Sequence, residues 1–283
     1  MQDDTGMALA DWAAEQGGRF IHLNEVTSTS DYLRTHWPEL QREGVSWSIC
    51  LADRQTAGRG RQGHAWHSAA GAGLWCSLAV PVAPWVDGGG SPMTNALAPP
   101  LSLVLAAALI DVLRMAGFPV QLKWPNDLWL VDRKIGGLLI EQLGSARNRY
   151  WLVGFGINWQ APLDLPCDKI GGVVDAGGLF DRSSLMIDVP SDTSDTSGLR
   201  DGLTYGLCRR ALDTIQSPSL WSGWMNQANT FSALTGRDVQ VWLDGIPQSR
   251  GRVTGIEPDG TMILMTDDGS IRVGGAASVR LLI

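Results

Sequence analysis

The stretch GRGRQG, Gly58 to Gly63, decides how the fold is read. It satisfies G-x-G-x-x-G, the fingerprint of a dinucleotide-binding turn, but two of its variable positions are Arg59 and Arg61. Such a turn needs a strand before it, a helix directly after it, and an acidic residue about 20 positions on. The strand is there, because VSWSICLADRQ (45–55) is rich in β-formers. The helix is missing, because HAWHSAAGAGLWCSL (64–78) passes through a Gly-Ala loop into strand character. Asp87, the next candidate acid, sits in a Pro/Gly-rich loop. A third glycine with no helix to pack against counts against the Rossmann reading. Walker A is excluded, since no Gly-Lys-Ser/Thr follows. Two stronger readings remain: a solvated basic loop, or a glycine-built cradle for an anion.

The background sharpens that choice. The chain of 283 residues carries a net charge of −7. An acidic protein does not bind nucleic acid through a general basic face, so no nucleic-acid partner is expected. A basic loop then stands against the global field. With 44% apolar and 18% charged residues, the chain is an ordinary globular protein, long enough for one large core and one small one. It has no run of about 18 apolar residues and no signal-peptide pattern, so no membrane contact is expected. Cys50, Cys76, Cys167 and Cys208 are far apart and form no C-x-x-C pair. They read as reduced thiols of a cytoplasmic protein. His64 and His67 lack the companions a zinc site needs.

Periodicity places the elements. MALADWAAEQ (7–16) reads as a helix ended by Gly17 and Gly18, and RFIHLNEV (19–26) as a strand. TSTSDYLRTHW (27–37) offers Ser/Thr caps before a helical pattern, with Pro38 as its stop. GLWCSLAVPV (73–82) is a strand and DGGGSP (87–92) a loop. NALAPPLSLVLAAALIDVLRMAGF (95–118) is apolar nearly all round and predicts a buried helix. VQLKWPNDLWLV (120–131) and KIGGLLIEQLG (134–144) predict two strands split at Asp132-Arg133, and YWLVGFGINW (150–159) a third. PSDTSDTSG (190–198) is low-complexity, and LRDGLTYGLCRRALDTI (199–215) reads as a helix. From about residue 234 the character changes. VQVWLDG, SRGRVTGI, TMILMTDDG and SIRVGG are short strands at roughly ten-residue spacing, which predicts a small β-barrel.

Two further clusters favour the cradle. KWPNDLWLVDRKIGG (123–137) carries Lys123, Asn126, Asp127 and Lys134 on and beside apolar strands. Pro125 interrupts the strand and throws Asn126-Asp127 into a turn. Apolar flanks bury the lysine stems and turn both ammonium groups toward one cleft. In VGFGIN, Gly154 and Gly156 let a ligand or a second backbone come close, and Asn158 faces whatever arrives.

These pieces, in this order, resemble the biotin protein ligase family. VTSTSDYL resembles its V-D-S-T-N helix start, and RQTAGRGRQGHAW its Q-x-A-G-R-G-R-R-G-R-x-W. KWPNDLWL, RKIGGLLIE and VGFGINW match nearly residue for residue. GGAASVR (274–280) resembles its G-G-E-[IV]-S-[LV]-R. The resemblance implies an α+β fold: a class II synthetase-like mixed β-sheet over 1–233, with residues 1–18 as an extension, then an SH3-like β-barrel over 234–283. It implies that biotin's carboxylate attacks the α-phosphate of ATP to give biotinyl-5′-adenylate. A lysine of a biotin carboxyl carrier protein, by default that of acetyl-CoA carboxylase, would then take the acyl group and release AMP.

The resemblance also assigns residues. Ser28, Thr29, Ser30, Gln55, Gly58, Arg59, Gly60, Arg61, Lys134, Gly137 and Gly154 are implied for biotin. Arg61, Trp66, Lys123, Asn126, Asp127, Asn158 and Arg280 are implied for ATP, with Arg61, Lys123, Asp127 and Lys134 as the catalytic set. Asp127 either helps hold Mg²⁺ or positions the incoming amine. The residue types suit the task, because joining a carboxylate to a triphosphate crowds negative charge. Arginine forks, ammonium groups and loop N–H groups neutralise it, at roughly 1.5–3 kcal/mol per charge-assisted hydrogen bond. The chain departs from the pattern at Ser30, where Asn is usual, and at Gln62 and His64, which replace loop arginines. At Ala276 it lacks an acidic residue. A lipoate- or octanoate-attaching relative is the nearest rival, but that branch lacks GRGRQG together with KWPND. A biotin-responsive repressor is disfavoured, because the short acidic segment before Thr27 leaves no room for a winged helix. The chain is expected as a monomer or homodimer.

Overall fold

The computed structural model describes residues 3–82, 98–145, 148–161, 176–181 and 196–282. Helix α1 (Asp3–Glu15) leads into strand β1 (Arg19–Val26). Helix α2 (Thr29–Arg42) opens on Ser28, whose Oγ accepts from the Asp31 amide at 3.4 Å. This is the N-cap that the serine-threonine run predicts. Pro38 does not end α2, which continues for another turn to Arg42. Pro38 lies on the exposed side while Leu33, Trp37 and Leu40 are buried. Each of those burials contributes about 1.5–3 kcal/mol, which outweighs the roughly 3 kcal/mol a mid-helix proline costs.

The remaining strands of the large sheet are β2 (Ser48–Arg59), β3 (Ala65–Ser68), β4 (Gly73–Pro81), β5 (Gln121–Lys123), β6 (Asp127–Leu130), β7 (Arg133–Leu143) and β8 (Tyr150–Asn158). Their order is β1-β2-β4-β8-β7-β6-β5, with β3 paired to β2. Only β1 and β2 run parallel, so the sheet is mixed, as expected. Residues 120–144 make three strands rather than two, because Pro125 opens a second turn at residues 124–126. The outer edge of β5 is covered: the Leu122 amide donates to Phe231 O and the Ala233 amide to Leu122 O, at 2.7 and 2.8 Å. That leaves no bare edge for another chain to pair with on this side.

The two faces of the sheet differ. One receives helix α3 (Ala98–Met115), buried nearly all round from Leu101 to Ile110, and helix α4 (Ser197–Gln216). Val153, Phe155 and Ile157 of β8 point into that core. Leu152 and Tyr150 point the other way, into a smaller cluster with Leu33, Trp37 and Leu40 of α2. None of the helices among the described residues is long and apolar enough to cross a membrane. The loop 87–92 and most of the tract 190–198 fall outside the described residues.

Helix α5 (Trp224–Thr230), which the sequence pattern did not announce, leads to a second sheet. Its strands are β9 (Asp238–Leu243), β10 (Ile246–Ile256), β11 (Met262–Thr266), β12 (Gly269–Val273) and β13 (Ser278–Leu281). All five are antiparallel, in the order β12-β11-β10-β9-β13. This is the small SH3-like β-unit. Its inner residues, including Val239, Val253, Met262 and Leu264, continue the main core. Polar clasps add direction. Trp124 Nε1 donates to Gly260 O at 2.9 Å, and Arg237 chelates Asp132 at 2.5 and 3.2 Å. Asn229 grips Ile256 both ways: its Nδ2 donates to the carbonyl at 3.0 Å, and its Oδ1 accepts from the amide at 2.8 Å. Asn229→Ala strands both backbone groups. Urea unfolding of the variant should show a loss of about 1–3 kcal/mol, with Asn229→Asp, which keeps only the acceptor, in between.

Candidate active site

Register brings the site together. One row of directly paired residues crosses the sheet: Lys123 with Asp127, Asp127 with Gly137, Gly137 with Gly156, and Gly156 with Trp75. The next row on the same face pairs Leu139 with Gly154 and Gly154 with Ser77. Directly opposed residues share a face, so Gly137, Gly154 and Gly156 form a floor without side chains on the α2 side. A Cβ at Gly154 would lie 2.9 Å from Ser30 Oγ, and one at Gly156 2.6 Å from Trp66 Nε1. The glycines of VGFGIN are a trench, with α2 and Trp66 lying against it.

GRGRQG forms the tip of a β-hairpin and not a free loop. Gly58 pairs with Trp66 and Arg59 with Ala65, and the Gly60 amide donates to His64 O at 2.7 Å. The reversal uses left-handed backbone at Gln62 (φ 55°) and Gly63 (φ 76°). Glycine takes that region without cost. The hairpin carries Trp66 back over the trench.

At one end of the trench lies a charge cluster. Asp127 Oδ1 is 2.6 Å from Lys134 Nζ, and its Oδ2 is 3.1 Å from Lys123 Nζ. Burial alone would raise the Asp127 pKa, but Lys134 and then Lys123 outweigh it and hold the carboxyl at about 2. Each ammonium also sits over an indole, Lys134 over Trp66 and Lys123 over Trp129, both at 5.4 Å. Arg61 joins from the hairpin. Its NH1 donates to Asn126 Oδ1 at 2.9 Å and its NH2 to the Gly275 carbonyl. Asn126 is oriented for this by donating its own Nδ2 to Leu138 O at 2.7 Å. Burial lowers the Arg61 pKa, and Asp127 partly offsets that. Three cations therefore surround one carboxylate, a site made for anionic ligands.

At the other end lies a hydroxyl network. Thr29 Oγ1 is 2.7 Å from Ser77 Oγ and Ser30 Oγ is 2.9 Å from it. The Thr29 amide and hydroxyl both donate to Gln55 Oε1, at 2.9 and 3.1 Å, and Gln55 Nε2 donates to Ser68 Oγ at 2.7 Å. Such a network offers donors and acceptors at fixed positions. Ser68 and Ser77 were not singled out from sequence. A serine amid the apolar run GLWCSLAVP is the signal that could have found Ser77, since a buried hydroxyl needs partners. A cavity of about 410 Å³ opens beside Gln55, Gly58, Trp66, Ser68, Trp75 and Asn158. The indole N–H groups of Trp66 and Trp75 are buried there without a partner. Trp66 Nε1 lies against the Gly156 floor, 2.6 Å from where a Cβ there would stand, so these donors are covered by the protein itself.

The other implied residues fall as follows. Ser28 caps α2, and Gly60 lies at the hairpin tip. Asn158 donates to Gly177 O at 3.1 Å, anchoring residues 176–181 beside the trench. Arg59 points away from the cations toward Asp31 and Glu141. Arg280 stacks on Trp242 of its own sheet, 4.3 Å from the ring centre. Gln62 donates to Ala276 O at 3.0 Å, so two of the four departures from the family pattern touch each other.

A model of the biotin/lipoate A/B protein ligase family matches residues 23–158. The chain is 32% identical to the bifunctional ligase/repressor BirA of Salmonella typhimurium, over 93% of this chain and 75% of that protein. It is 30% identical to the biotin–[acetyl-CoA-carboxylase] ligase of Paracoccus denitrificans, over 78% of this chain and 84% of that one. The fold matches biotin protein ligase from Aquifex aeolicus, solved with biotin and ATP, at a TM-score of 0.67 and 24% identity. That match covers 93% of this chain and 99% of the other. The chain belongs to the biotin/lipoate A/B protein ligase family.

The charge cluster sets a pH signature. A carboxyl held at about 2 in the folded protein, below its unfolded value near 3.9, stabilises fully above about pH 4. That contribution, roughly 2 kcal/mol, is lost as pH falls from about 4 toward 2. Urea unfolding across this window should show the wild type losing it, while Asp127→Asn, lacking the titrating group, has a flatter acid limb.

Proposed function

We propose that this chain is an ATP-dependent biotin protein ligase. It joins biotin to the α-phosphate of ATP and passes the biotinyl group to a lysine of a biotin carboxyl carrier protein. The observation that carries this reading is the trench itself, polar and hydroxyl-lined at one end and ringed by Lys123, Lys134 and Arg61 at the other. A ligand with a ureido head and a carboxylate tail matches both ends. The head meets the Thr29, Ser30, Gln55 and Ser77 network, the chain lies along Gly154 and Gly156, and the carboxylate reaches the cations.

In the first step a carboxylate oxygen attacks the α-phosphorus and the bond to pyrophosphate breaks. Lys134 and Arg61 neutralise the charge that gathers as the two anions meet, and Lys123 faces the departing phosphates. In the second step the neutral amine attacks the acyl carbon, an amide forms, AMP leaves and the amine's surplus proton passes to solvent. Asp127, held at about 2, is too weak a base to deprotonate an amine near neutral pH. Its role is electrostatic: it holds both lysines in place and draws the incoming ammonium or a divalent ion. No cluster of metal-ligating side chains occurs among the described residues. Mg²⁺ would come with the ATP phosphates and shield their charge, and Asp127 would hold it once a lysine turns from the carboxylate to a phosphate.

Pyrophosphate release with biotin and ATP tests the first step. Lys134→Ala and Arg61→Ala should each lower it at least about 100-fold, and undiminished rates in both would refute the assignment. Ser77→Ala should weaken biotin binding about tenfold, the equivalent of about 1.4 kcal/mol. Calorimetric titration separates the branches of the family: biotin should bind and lipoate should not.

A further inference from the structure

Arg59, first of the two hairpin arginines, meets carboxylates and not the catalytic cations. Its NH1 is 2.8 Å from Asp31 Oδ1 and its NH2 is 3.6 Å from Glu141 Oε1. Arg34 closes the ring, with NH1 2.5 Å from Asp31 Oδ1 and NH2 2.6 Å from Glu141 Oε2. Two guanidinium groups and two carboxylates alternate around this ring. Asp31 and Arg34 come from α2, Glu141 from β7, and Arg59 from the end of β2. The ring sits at the hydroxyl end of the trench. Asp31 follows Ser30, Glu141 lies two residues past Leu139, which pairs with Gly154, and Arg59 follows Gly58.

We propose that Asp31 and Glu141 are positioning residues that latch the hairpin over the trench through Arg59 and so set how long the ligand beneath is retained. The two arginines divide the work. Among the described residues Arg61 hydrogen-bonds to neutral oxygens, the Asn126 amide and the Gly275 carbonyl, and shares the single Asp127 carboxylate with two lysines, so its charge stays available to a substrate anion. Arg59 is already neutralised by two carboxylates and has little charge left for phosphate. Its ring is part-exposed, with side-chain exposures between 26% and 41%, so salt screens it. The hairpin is thus pinned on one side by the Arg59 ion pairs and on the other by Arg61 and Gln62 at the Gly275 and Ala276 carbonyls, and the ion-pair side is the more salt-sensitive.

The latch stands on geometry alone, while ligand retention rests on the biotin-ligase reading, and the test separates them. Hydrogen exchange of the amides of residues 58–66 is measured in the ligand-free full chain. Asp31→Asn and Glu141→Gln should each speed exchange there about threefold to tenfold, leaving α3 unchanged. Asp31→Glu should restore protection. NaCl at about 0.5 M should speed the wild-type hairpin and add little to the variants. Unchanged hairpin exchange in both variants overturns the latch. So does loss of protection throughout α3, which would mark plain destabilisation. In the second arm, stopped-flow tryptophan fluorescence follows biotin release, which should quicken by the same factor. Retention unchanged despite a loosened hairpin overturns the retention claim. A wild type that binds no biotin, with the exchange result intact, sinks the functional reading and leaves the latch.

Discussion

The site depends on one constraint, the two-residue alternation along β8. Val153, Phe155 and Ile157 bind the sheet to α3, while Gly154 and Gly156 leave the opposite face bare. The same strand closes the core and floors the trench. No side chain can be added on one face without moving Ser30 or Trp66, and none can be removed from the other without opening the core. Because β8 is central, its two neighbours inherit the register. Ser77 on β4 and Gly137 on β7 are placed by their pairing with it, and Asp127 by its pairing with Gly137.

Electrostatics then follows from that geometry. The pairing of Asp127 with Gly137 brings the carboxylate beside Lys134, and the β5–β6 turn sets Lys123 opposite the same carboxylate. A buried carboxylate between two ammonium groups stays ionised, so the lysines are fixed before any substrate arrives. Preorganised charge of this kind costs no rearrangement when a phosphate binds.

Much of this was legible in the sequence. The apolar, glycine-bearing run at 150–159, the apolar helix near 100–115 and the short strands after 234 each follow from side-chain patterning and reappear as β8, α3 and the second sheet. The clustering of Lys123, Asp127 and Lys134 was also readable, because they are local in the chain. What escaped was set by long-range pairing or by tertiary burial. Ser68 and Ser77 matter only because β3 and β4 flank the same strand. Pro38 looked like a stop because local propensity cannot weigh the buried Trp37 beside it. From GRGRQG both arginines read as forks for ligand oxygens, and the resemblance gave Arg61 the larger share. Pairing at β2–β3 sends them to opposite partners, carboxylates for one and neutral oxygens for the other.

The contact of Arg61 and Gln62 with the Gly275 and Ala276 carbonyls has a consequence for biosynthesis. The hairpin emerges from the ribosome more than 200 residues before its acceptors. In a nascent chain Arg61 lacks half of its support until Gly275 has been made. A product cut short before Gly275 loses that anchor together with β13 and its pairing to β9. Positioning of the arginine is therefore a late event, tied to the folding of the last strands.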